Sequence, residues 1–102
     1  MFLFPVFHKV KETEYSFSVK QDPPKGRAAE IIQYSAPIEG NDAAFKYTVF
    51  LKSADILASQ APKNIVEELV ASKVMEVLNQ EVFQDQAFFI TGPEIKDAVM
   101  KV

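Results

Sequence analysis

Apolar and polar residues alternate one for one through much of the first half of the chain, and the period lengthens after Ser53. Alternation of this kind marks strands with one buried and one wet face. In YSFSVKQ, Tyr15, Phe17 and Val19 point one way while Ser16, Ser18 and Lys20 point the other. In AFKYTVFLK, Phe45, Tyr47, Val49 and Leu51 form the dry set, opposite Lys46, Thr48, Phe50 and Lys52. FLFPVFHKV is apolar on both faces, and Pro5 cannot donate to a ladder, which puts this strand at a sheet edge or a bulge. AAEIIQYSAPIE reads as a further strand, closed by a hairpin turn at Glu39-Gly40-Asn41-Asp42.

Beyond Ser53, which can cap a short turn over ADILASQ, the spacing becomes helical. NIVEELVASKVMEVLNQEVF carries Ile65, Val66, Leu69, Val70, Val74, Val77 and Leu78 as one stripe, with Asn64 and Glu67 at capping-box spacing. AFFIT then reads as a short buried strand, and Thr91-Gly92-Pro93-Glu94 repeats the capping arrangement ahead of IKDAVMKV. The expected fold is one α+β domain over residues 1–102. It has an antiparallel four-stranded sheet followed by a long helix, then a short strand and a short C-terminal helix.

Composition narrows the picture. With 102 residues, 48% of them hydrophobic, the chain can fill one core and lacks the length for two. The absence of cysteine removes disulfides and thiolate chemistry and fits a reducing compartment, so the expected location is cytoplasmic. The apolar opening segment has neither the basic flank nor the cleavage site of a signal peptide, and no run approaches the roughly 20 apolar residues of a membrane helix. No membrane association is expected. The formal net charge of −3 is unevenly spread: residues 1–61 hold seven basic and seven acidic groups, and residues 62–102 hold four lysines against seven carboxylates.

Catalytic and cofactor signatures are missing. His8 is the one imidazole and alternates with Val6 and Val10 on an apolar face, the setting of a packed core residue. Three glycines cannot build a phosphate-cradling loop, and neither Glu12 with Glu14 nor Glu67 with Glu68 belongs to a calcium-loop pattern. The expectation is a chain that is not an enzyme and carries neither cofactor nor metal. The wet strand face is more informative. Parity puts Lys9, Lys20, Lys46 and Lys52 on one side with Phe7 and Phe50, and Ser16, Ser18 and Thr48 between them; no carboxylate is expected there from the first, second or fourth strand. Lysines neutralise phosphates, and exposed rings stack on unpaired bases.

VKQDPPKGR, residues 19–27, adds Lys25 and the only arginine, Arg27. YSFSVKQDPPKGRAAEIIQY, with the strand and LKSADILASQAPKNIVEELV that follow, resembles the purine-rich-element-binding (PUR) repeat over roughly residues 15–70. The resemblance rests on Val19-Lys20-Gln21 and Lys25-Gly26-Arg27. It implies single-stranded DNA or RNA as ligand, with Lys20, Lys25 and Arg27 against phosphates and bases, and two repeats joined in one globule, here as a homodimer. FPVFHK followed by YSFSV is also similar to the N-terminal hairpin of HicB-type antitoxins, which implies a protein partner. The expected function is a single-stranded nucleic-acid-binding module using Lys9, Lys20, Lys25, Arg27, Lys46 and Lys52 with Phe7 and Phe50. The alternative is a protein-protein interaction module such as an antitoxin or inhibitor.

Overall fold

A computed structural model of the chain describes residues 5–23 and 30–101. Strands β1 (Val6–Val10), β2 (Thr13–Phe17), β3 (Lys20–Gln21), β4 (Ile31–Glu39), β5 (Ala44–Lys52) and β6 (Gln86–Ile90) join helices α1 (Ser53–Ser59), α2 (Lys63–Asn79) and α3 (Gly92–Met100). The strands make one sheet in the order β1-β2-β4-β5-β6, with β3 also paired to β4. All neighbours are antiparallel except β6, which runs parallel to β5.

β2 and β3 are one line of chain interrupted over Ser18 and Val19. Phe17 faces Ile38 and Lys20 faces Ser35, so no residue is inserted. The Gln33 carbonyl accepts from Asp22 N–H at 2.8 Å. Alternation therefore turns the backbone of Pro37 toward the same neighbour, where proline has no N–H to give. The ladder lapses opposite Ser18 while the side-chain parity runs on, and Val19 stays buried.

The dry sides of the strands and the inner side of α2 share one core: Phe17, Val19, Ile38, Tyr47, Val49 and Leu51 meet Val66, Val70, Val74 and Leu78. Glu67 is buried on the same helix. Burial, and after it the charge of Glu67, pushes the Tyr34 phenol up to about 12. Burial does the same to Tyr47, whose hydroxyl donates to the Val82 carbonyl.

The sheet corrects the expected fold class. The α+β character holds, but the sheet is mixed and six-stranded rather than antiparallel and four-stranded, because the segment after α2 returns to it. The ADILASQ turn is a helix, α1, which begins at Ser53 behind Lys52; it closes where Gln60 takes a left-handed φ of 54°. α2 starts behind Pro62 without a side-chain cap, the Pro62 carbonyl receiving the first helical N–H groups, so Asn64 and Glu67 do not form the expected box. It also stops at Asn79 rather than Phe83. Gln80 and Glu81 donate back to Val77 and Leu78, and Glu81 turns left-handed at φ 61°. That turn is tied to Lys11, itself left-handed, by a 2.7 Å ion pair. The freed chain lays Phe83 on Tyr15, ring centroids 5.2 Å apart.

The start of α3 agrees with the sequence. The Glu94 carboxylate accepts from the N–H and hydroxyl of Thr91 and pairs with Lys73 of α2 at 3.1 Å. Burial opposes ionisation of Glu94, but these bonds outweigh it and leave its carboxyl below the usual range. The expected hairpin turn is present, with Gly40 N–H donating to the Ala43 carbonyl at 2.8 Å. Space rather than backbone freedom calls for glycine there: a Cβ on Gly40 would lie 2.4 Å from the Tyr15 ring.

Candidate nucleic-acid interface

Among the described residues the core lies on one side of the sheet, and the side turned away from it is the wet face. Cross-strand register gives its layout in rows. Phe7, Ser16, Glu39 and Ala44 lie across one end. Pro37 and Lys46 come next, then Lys20, Ser35, Thr48 and Ala87. Gln33, Phe50 and Phe89 follow, and Ile31 with Lys52 closes the other end.

Of the residues expected to form one surface, Lys20, Lys46, Lys52 and Phe50 fall together and Phe7 and Lys9 do not. From Phe7 to Phe50 is three strand spacings across and six residues along, roughly 25 Å. Phe7, at 62% exposure, stands beside Glu12, Glu14 and Glu39 in a shallow groove. Lys9 faces Glu14 directly across the β1–β2 ladder. Glu14 lies on the second strand, so the expectation of a carboxylate-free set fails: counting it with Ser16 and Ser18 gives it the same parity. Lys25 and Arg27 lie outside the described residues; their described neighbours in sequence, Pro23 and Glu30, adjoin β3 and β4 at the Phe50 end.

That end holds an aromatic pair that the sequence reading missed. Phe50 and Phe89 stand with centroids 5.2 Å apart and planes inclined at 34°. Phe89 is 52% exposed and Phe50 is half-buried. AFFIT was expected to be a buried strand, but β6 is an edge. Phe88 and Ile90 turn to the core side with Val49 and Leu51, while Ala87 and Phe89 turn to the open face. Four apolar residues in a row give no sign of which face is open; the neighbour, β5, sets the parity.

Lys20, Lys46 and Lys52 are exposed on the same face: Lys52 two residues beyond Phe50, Lys20 one row back and two strands over, and Lys46 two rows back. Asp22 is the carboxylate among them, and its Oδ2 accepts from Gln33 Nε2 and Ser35 Oγ, both at 2.6 Å. Asp85 is held at the margin by the Lys46 backbone N–H at 2.8 Å. His8 is on the opposite face, its Nε2 lying 2.7 Å from Asn79 Oδ1. Among the described residues, no group of three or more His, Asp or Glu is placed to hold a metal, and no helix is long and apolar enough to cross a membrane.

The chain matches no family model, no curated protein and no solved structure. Its chemistry must be read from this surface: two adjoining rings, three mobile cations and small hydroxyls on a rigid sheet. Rings of this kind stack on planar groups and lysines attract anions.

Proposed function

We propose that the chain is a non-enzymatic module that binds single-stranded nucleic acid on the Phe50 end of its open sheet face. Phe50 and Phe89 receive unpaired bases, Lys20, Lys46 and Lys52 neutralise phosphates, and Ser35 and Thr48 leave room for the backbone to lie flat. The observation that carries the reading is that the Phe50–Phe89 pair and these lysines share one sheet face that no described element covers. Lys25 and Arg27 of the PUR-like segment join the same set on the strength of the resemblance. This surface is narrower than the one expected from parity, since Phe7 and Lys9 are left out of it.

The reading is tested by fluorescence anisotropy of labelled mixed-sequence oligonucleotides at low salt. Binding should weaken steeply as salt rises, because each neutralised phosphate releases condensed counterion. Absence of binding at low salt overturns it.

A second reading, a protein-interaction module, draws on one observation. Glu14, Asp22 and Glu39 share the open face with the lysines, so its field is mixed, while Phe7, Ile31 and Phe89 stay exposed. A complex captured through this face that survives nuclease treatment favours the second reading, and one that nuclease dissolves favours the first.

A further inference from the structure

The two edges of the sheet are protected to different degrees. Soluble proteins blunt an open edge with charge, proline or a bulge, because its unpaired N–H and C=O groups otherwise recruit another strand. The β1 edge has such devices: Pro5 precedes it, Lys9 lies on it, and Lys11 in its turn is tied to Glu81. The β6 edge has none. Its sequence, QAFFI, carries no charge and no proline, and among the described residues no strand pairs with its outer side.

We propose that two copies of this chain pair through their β6 edges, antiparallel and centred on Phe88, to make one continuous sheet. A two-fold axis through Phe88 matches each residue to one of the same parity, so outward-turned backbone groups meet outward-turned groups and each face continues into its own kind. In this register Ala87 lies opposite the partner's Phe89, and Phe89 opposite the partner's Ala87. Each exposed ring thus meets a methyl group rather than another ring. Gln86 lies opposite the partner's Ile90. No like charges are brought together along the strand, since it holds none.

Size alternation and neutrality favour a second copy over a foreign strand: the segment is complementary to itself. The pairing stands apart from the nucleic-acid reading and requires no oligonucleotide. Its consequence for that reading is geometric. The two-fold keeps both open faces on the same side, and the two Phe50–Phe89 pairs become neighbours across the seam.

Sedimentation of the intact chain, free of nucleic acid, from micromolar to about 1 mM tests the pairing; contact through one short strand makes a weak dimer. The wild type should show a reversible dimer. Ala87→Lys, at an exposed position, should weaken it by at least about tenfold with the circular dichroism and melting temperature unchanged. The register is tested by the double variant Ala87→Cys with Phe89→Cys in a chain that otherwise has no cysteine. Mild oxidation should give covalent dimers in the double variant and far fewer in either single one, because only residues 87 and 89 face each other. A chain that stays monomeric to 1 mM, a dimer indifferent to Ala87→Lys, or crosslinking no better in the double variant than in the single ones overturns the proposal.

Discussion

The two ends of the open sheet face share β4 and β5 and the same alternation, yet they differ in charge. Around Phe7 stand Glu12, Glu14 and Glu39, with Lys9 directly opposite Glu14. Toward Phe50 and Phe89 lie Lys52, Lys20 and, two rows back, Lys46, and the carboxylate among them, Asp22, is engaged by Gln33 and Ser35. The difference shows what strand parity determines and what it leaves open. Parity assigns a residue to a face. Register assigns it to a place on that face, and a ligand responds to place.

The largest contrast between the ends should appear in oligonucleotide affinity. Phe50→Ala with Phe89→Ala removes both stacking rings; at about 1–3 kcal/mol for each base–ring contact, binding should fall by at least about 30-fold. Phe7→Ala, on a more exposed ring, should leave it within about twofold. Equal losses at both ends would erase the distinction between them.

Stability should show the reverse contrast. Gly40→Ala, at the Phe7 end, drives a Cβ into the Tyr15 ring, at 2.4 Å before any shift. Overpacking of this kind costs about 1–3 kcal/mol in urea unfolding. Oligonucleotide affinity of the folded fraction should be unchanged.

The face beneath both ends has its own alkaline limit. Tyr34 and Tyr47 are each raised to about 12, chiefly by burial. A raised folded-state value means that the native protein holds the phenol proton after the unfolded chain, near pH 10, has begun to lose it. Stability should therefore fall as pH rises from about 10 to 12. Tyr34→Phe should flatten part of that fall in a pH series of urea midpoints.

The smallest effect should be the lysine comparison. Lys46→Gln or Lys52→Gln should each lower the slope of log affinity against log salt by about 0.7 for a single strand. Lys9→Gln should leave the slope unchanged, and Glu39→Lys should extend the basic field and tighten binding several-fold.

Much of this architecture was legible in the residues. Tyr15, Phe17 and Val19 face inward with Tyr47, Val49 and Leu51, as their alternation required; His8 is on the core side of its strand but, half-buried and bonded to Asn79, is not the packed core residue expected. The Thr91–Glu94 cap was readable because it is local: donor and acceptor are three residues apart. What escaped the sequence was long-range. β6 pairs with β5 across an excursion of two helices, and nothing inside QAFFI announces a parallel neighbour or an exposed Phe89. Glu14 was legible and overlooked; its parity follows from Ser16, and it alone would have shown that the Phe7 end is not basic. α2 ends at Asn79, just before Glu81 turns left-handed, and the partner of Glu81 there is Lys11, seventy positions away.

The central claim, that one end of the open face is the binding surface, is tested most directly by amide chemical-shift mapping of the intact chain titrated with a short single-stranded oligonucleotide at low salt. Shifts concentrated at Lys20, Thr48, Phe50 and Phe89, with Phe7, Glu14 and Ser16 still, are the expected result. Shifts centred on the Phe7 end or on the helices, or none at saturating oligonucleotide, would contradict it.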